Sequence, residues 1–181
     1  AAEGLTVLVD EREPQAHRCV DLLRGRGLKA EVQALPTGDF LWARRAPGGG
    51  EGLTGWEVWP IVLERKTWDD LQDSLRGGST RFNSQRRRMC ACFPPEGRLY
   101  LLEGSIASRH RGVGNKTDEE LIEALDDLAA SFGFHILHVG PSYLHVSTTL
   151  EAIAHHVAGQ WAAPNGAARA LPLAEVASVA S

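Results

Sequence analysis

Several things the chain has little of narrow its class. Only three of its 181 residues are cysteine. Cys19, Cys90 and Cys92 form neither an even set nor a CxxC, so they read as reduced thiols of an intracellular protein rather than a disulfide framework. The seven histidines include no HExxH, and none lies at finger spacing from a cysteine pair, which argues against zinc. No run of about 18 apolar residues is available to span a membrane, and the N-terminus lacks the basic-then-apolar pattern of a secretion signal. A broad excess of positive charge is also missing: the formal net charge is −4, which excludes a protein coated in basic surface.

The residues that are present fit one globular α/β domain with a sizeable core, being 43% hydrophobic and 23% charged. Residues 5–9 are a continuous apolar run, predicted as a central strand. Pro14 suits the first turn of a helix reaching about Arg26, ended by Gly25 and Gly27. Alternation predicts strands over 29–35 and 39–43, and the glycine-rich stretch 46–55 a flexible loop. A strand over 60–65 follows, then helices near 67–76 and 82–92 and a buried strand over 98–103. Residues 105–116 read as a mobile loop. Thr117-x-x-Glu120 has capping-box spacing and opens a helix with the stripe Leu121, Leu125, Leu128, Phe132. A strand over 133–139 and a helix over 149–161 complete the domain, and 164–181 read as an alanine-rich linker or frayed tail. Strands alternating with helices imply a mainly parallel or mixed sheet, with its site at the strand ends.

The chemistry gathers around residues 61–70, Ile-Val-Leu-Glu-Arg-Lys-Thr-Trp-Asp-Asp. In a strand, Glu64 and Lys66 project from one face and Arg65 from the other. A charged pair ending a buried strand on one face needs a partner or a job. Asp10 and Glu13 follow one apolar strand, and Asp39 opens another, so acids distant in sequence converge at strand ends. Two or three carboxylates suffice for magnesium, which takes oxygen ligands and keeps several waters. Phosphodiester hydrolysis asks an enzyme to lower the barrier by about 20 kcal/mol. A divalent cation supplies much of that, with Lys66 stabilising developing charge. Residues 76–88 hold five arginines and no acid, a basic strip suited to holding a polyanion. Structural alternatives stand beside each assignment. Asp70 also closes a capping box with Thr67, Glu13 also suits a helix entry, Asp39 a turn, and Arg86 to Arg88 a solvated helix face.

These residues resemble a known family. Val9-Asp-x-Arg-Glu13, Gly38-Asp-Phe40 and Glu64-Arg-Lys-x-x-x-Asp70 match in order the signature of XPF-type structure-specific endonucleases, and Ser-Leu-Arg-Gly-Gly, Arg81-Phe82 and Gln85 continue it. The likeness covers about residues 5–160 and is strongest to the crossover-junction (Mus-eighty-one) branch. It implies a restriction-endonuclease-like fold, a central mixed sheet flanked by helices, with a nuclease domain over 1–163. It implies hydrolysis of branched DNA (flaps, forks, nicked junctions) with Mg2+ or Mn2+, in repair or recombination. Such proteins work as homo- or heterodimers with a related subunit, in the nucleus where the source is eukaryotic. By motif, Asp10, Glu13, Asp39 and Glu64 would be the metal-binding acids, and Arg65 would contribute through its backbone carbonyl or a structural contact. Lys66 would be the catalytic lysine and Asp70 a supporting acid. Arg12, Arg81 and Gln85 would face DNA or support the acids from behind, and the basic strip adds Arg86 to Arg88 as DNA-binding residues on charge alone. Leu150, Ile153, Val157 and Trp161 would be either a dimer surface or core. A non-catalytic scaffold subunit of the same fold and a generic nuclease for plain DNA are the competing readings.

Overall fold

The computed structural model describes residues 4–76 and 80–181. Among them a seven-stranded mixed sheet is flanked by six helices. Strands β1 (Thr6–Asp10), β2 (Lys29–Gln33), β3 (Phe40–Arg45), β4 (Trp56–Thr67), β5 (Arg98–Glu103) and β6 (His135–Val139) run in the order β2-β1-β3-β4-β5-β6. β3 is antiparallel to both β1 and β4, whereas β1 is parallel to β2, and β4 to β5 to β6. The C-terminal ends of β1, β4, β5 and β6 therefore share one edge with the start of β3. That edge is where a mixed α/β sheet places its chemistry.

Helices α1 (Ala16–Gly25), α2 (Trp68–Leu75), α3 (Thr80–Cys92), α4 (Asp118–Phe132) and α5 (Tyr143–Ala162) close both faces. Strand alternation divides the core. Val7, Val9, Phe40, Trp42 and Leu63 pack toward α1 and α5. Leu8, Leu41, Val58 and Val62 pack toward α2, α3 and α4. Leu41 pairs with Val62 but Ala43 with Val58, so β4 bulges around Pro60, a residue with no N–H to give a ladder. The α4 capping box is formed, and Gly133 ends that helix at φ 67, a left-handed conformation glycine adopts without strain.

Three expectations are corrected. Residues 164–181 are not a linker or frayed tail: β7 (Leu171–Pro172) pairs with β4, and α6 (Leu173–Ala180) buries Leu173 and Val176. The loop at 105–116 is pinned by the buried Arg109, which donates to Gln72 Oε1 and Asp118 Oδ1. Helix α5 starts six residues earlier than predicted, because its first turns carry Val146 and Thr148, whose branched side chains hide a helical pattern. Of its apolar stripe, Leu150 and Val157 are buried in the core, while Ile153 and Trp161 are half-buried beside them, Trp161 against Trp59 at 5.3 Å. Gly77, Gly78 and Ser79, which carry part of the motif before Arg81, lie outside the described residues.

Candidate active site

A cleft of about 260 Å³ opens at the shared strand edge. It is lined by every predicted acid (Asp10, Glu13, Asp39, Glu64, Asp70), by Lys66, and by Arg12, Arg81, Gln85 and Arg88. Backbone geometry sets its floor. Gly38 sits at φ +71, and a Cβ there would come within 2.3 Å of Val62 Cγ2, so only glycine fits against β4. The next residue, Asp39, donates its backbone N–H to Leu63 O (2.9 Å) and accepts at Oδ2 from the Arg65 N–H (2.7 Å). One turn thus places the Asp39 carboxylate against the Glu64–Arg65 peptide.

The hydrogen bonds sort the acids. Asp10 has both oxygens committed: Oδ1 accepts from Arg12 N and Nε, and Oδ2 from Arg12 Nη2 and Leu35 N. It fastens the Arg12 turn to the segment after β2. Asp39 and Glu64 differ. Glu64 Oε1 takes Gln85 Nε2 (2.7 Å) and lies 3.1 Å from Lys66 Nζ. Among the described residues, Asp39 Oδ1 and Glu64 Oε2 carry no hydrogen bond. Burial first, and then the charges of Glu64 and Glu13, hold Asp39 well above the usual carboxylate range. Burial also raises Glu64, with Lys66 opposing. Two acids that resist sharing negative charge are a place where a cation is favoured.

Arg65 turns to the opposite face, as alternation predicts. Its guanidinium bonds Glu103 Oε2 through Nε (2.7 Å) and Nη2, and Glu13 Oε1 through Nη1 (2.9 Å), and lies 4.5 Å over the Tyr143 ring. Tyr143 donates its hydroxyl to the same Glu13 Oε1. Burial raises the Glu13 proton affinity, with Arg65 opposing. Neither Glu103 nor Tyr143 is signalled by the local sequence, since each reaches the site only through the fold. Asp70 fills the structural role foreseen for it, closing the α2 capping box with Thr67, while also lining the cleft.

The basic strip splits around its helix. Arg81, Gln85 and Arg88 follow i, i+4, i+7 spacing and share the cleft face of α3. Arg86 lies outside the cleft lining: it pairs with Asp127 at 3.5 Å and lies 3.8 Å over Phe132. Arg87 is exposed on solvent. Helical spacing, rather than the run of three arginines, carries the signal for the cleft face.

The donors suit a hard divalent cation only in part. Asp39 Oδ1, Glu64 Oε2 and a backbone carbonyl are all oxygen ligands, enough for Mg2+ that keeps its other waters. Among the described residues, however, no three His, Cys, Asp or Glu side chains gather closely enough to hold a metal ion. Of the four acids expected from the motifs, Asp10 gives both oxygens to protein donors, and Glu13 sits on the Arg65 face of β4 while Glu64 sits on the other.

A chain with this sheet, this cleft and these acids belongs to the ERCC4 domain family, whose pattern matches residues 9–143. Among named relatives, it is 37% identical over 87 residues to the crossover junction endonuclease MUS81 of Candida albicans, covering 46% of this chain. It is 27% identical over 110 residues to the probable crossover junction endonuclease mus81 of Dictyostelium discoideum, covering 59% of this chain. The chain spans only 13% and 11% of the length of those curated relatives. XPF from Aeropyrum pernix superposes with TM-score 0.62 at 20% identity, over 86% of this chain and 66% of that one. The same protein solved in complex with DNA gives 0.63 at 21% identity, over 88% and 68%. The restriction-endonuclease-like fold and the XPF-type family with its Mus81-like branch are thus borne out. No helix among the described residues is long and apolar enough to cross a membrane.

Proposed function

We propose that the domain is the catalytic unit of a divalent-metal-dependent DNA endonuclease acting on branched DNA. The observation that carries this reading is the cleft in which Asp39 and Glu64 each keep one oxygen free beside the buried ammonium of Lys66. Asp39 Oδ1, Glu64 Oε2 and the Arg65 carbonyl are the groups that would hold Mg2+ or Mn2+. The cation, when bound, would neutralise phosphate charge and activate water. Gln85 and the Arg65 N–H keep the two carboxylates oriented before any ligand arrives, which lowers the reorganisation needed in the reaction. Hydrolysis forms a P–O bond to water oxygen and breaks the P–O bond to a sugar oxygen. Lys66, fixed 3.1 Å from Glu64, is placed to donate to the charge that grows on the phosphate. Arg81 and Arg88 on the α3 rim, with the exposed Arg12 opposite, supply the phosphate contacts of a chain whose overall charge is negative.

The test is cleavage of labelled flap, fork, nicked-junction and plain duplex DNA with Mg2+ and with EDTA, with and without a related partner subunit. Mg2+-dependent cutting of branched substrates, abolished by Asp39→Asn while DNA binding persists, is the expected result. DNA binding without cleavage under every condition would instead assign the scaffold role. Equal cutting of plain duplex would remove the structure specificity.

A further inference from the structure

The Arg65 face of the site holds a group that the proposed chemistry does not use. Tyr143, 4% exposed at the start of α5, reaches back across 130 residues of sequence to Glu13. Two donors converge on one Glu13 oxygen: the Tyr143 hydroxyl and Arg65 Nη1 both end on Oε1. Arg65 cannot drift from this arrangement, because Glu103 holds its other two nitrogens and the Tyr143 ring lies under its guanidinium at 4.5 Å. Glu13 itself lines the cleft, and among the described residues its Oε2 carries no hydrogen bond. The pattern repeats the one at Asp39 and Glu64, where protein donors tie one oxygen and, among the described residues, none ties its twin.

We propose that Tyr143 is a positioning residue: with Arg65 it pins Oε1 of Glu13 and so presents Oε2 as the third acidic oxygen bordering the Asp39–Glu64 site. The inference rests on the metal-dependent reading above. Glu13 acts from outside the pair that holds the cation, consistent with its place on the other face of β4. Groups bonded directly to metal ligands change metal affinity by about 10–100-fold when removed, and Tyr143, one step further from the cation, should fall at the low end of that range. Tyr143→Phe isolates the contribution, since it keeps the ring beneath Arg65 and removes only the hydroxyl.

The experiment is a double-mutant cycle read first by calorimetric titration with Mn2+ alone, on wild type, Tyr143→Phe, Glu13→Met and the double variant. Methionine keeps the volume of Glu13 and removes both acceptors. The expected result is that Tyr143→Phe weakens Mn2+ binding about tenfold and the double variant binds no more weakly than Glu13→Met. In cleavage assays Tyr143→Phe lowers kcat and leaves the KM for DNA unchanged. Unchanged Mn2+ affinity in Tyr143→Phe overturns the proposal, as does the same further loss in the Glu13→Met background, which would mean Tyr143 serves only the fold. A wild type that binds Mn2+ but cuts no branched DNA defeats the nuclease reading, while the affinity cycle still decides the role of Tyr143. A wild type that binds no Mn2+ overturns both.

Discussion

Removing the charge of Asp39 should make the domain more stable while disabling it. In the folded chain Asp39 lies in a half-buried cleft facing Glu64 and Glu13, and its proton affinity is raised by that burial and by those charges. Like unit charges 4–8 Å apart repel by about 2–4 kcal/mol at an effective dielectric constant near 20. The Arg65 N–H and the Lys66 ammonium offset part of this. Asp39→Asn keeps an oxygen to accept from the Arg65 N–H and loses the repulsion. The net gain should be about 1 kcal/mol, which for a domain of this size raises Tm by about 2–4 °C. The pH dependence has a definite sign. A carboxylate whose folded pKa lies above its unfolded value of about 3.9 costs nothing while protonated in both states. Its cost grows as pH rises through the unfolded value and levels off above the folded one. The Tm gap between Asp39→Asn and wild type should thus be absent near pH 4, open toward neutrality and then stay constant. Thermal melts in EDTA from pH 4 to 8 measure it. Added Mg2+ should raise the wild-type Tm and leave the variant unmoved, since only a chain that binds the ion gains by mass action. A variant that melts below wild type at pH 7.5 without metal, or a gap independent of pH, would refute the claim that these acids repel one another.

Lys66→Met should cost stability, because it leaves the buried Glu64 carboxylate without the ammonium that opposes its burial; a loss of about 3–5 kcal/mol in urea unfolding is expected, largely recovered by adding Glu64→Gln. Gly38→Ala must place a Cβ within 2.3 Å of Val62 at a left-handed φ, so a loss of about 1–3 kcal/mol should come with impaired cleavage, read by melts and the flap assay together. Arg88→Ala should flatten the salt dependence of DNA binding, whereas Arg86→Ala should leave the slope unchanged and lower Tm instead. Leu173→Ala, at a fully buried position in α6, should cost about 2–4 kcal/mol, a result no disordered tail could give.

Much of this was readable before any fold was known. Alternation separated Glu64 and Lys66 from Arg65, and the structure keeps that division: Gln85 on one side, Tyr143 and Glu103 on the other. The Thr117 capping box and the α4 stripe followed from spacing alone. What escaped the sequence was of two kinds. Contacts that span the chain, such as Tyr143 to Glu13, have no local signature, because a lone tyrosine at a helix start looks the same whether it packs or donates. Weakly patterned alanine-rich sequence also misled: Leu173 and Val176 are three residues apart on one short helix, too few to show periodicity, yet both are buried. The run Arg86–Arg87–Arg88 misled for the converse reason. Adjacent helical residues diverge by about 100°, so a dense cluster of one charge cannot share a face.

The acids show why residue type alone does not identify a ligand. Five carboxylates line the cleft, and their side chains are chemically near-equivalent. What distinguishes them is how many oxygens the protein has already claimed. Asp10 is saturated by Arg12 and Leu35, and Asp70 is drawn into its helix cap. Asp39, Glu64 and Glu13 each give one oxygen to a protein donor, and among the described residues no donor claims the other. A carboxylate with no donor would swing, and one that already accepts four bonds, as Asp10 does, must release a donor before it takes a ligand. Half-commitment is the state that both orients a ligand and leaves it available. Here it arises from backbone turns and neighbouring strands, so the fold, more than the motif, decides which acids remain free.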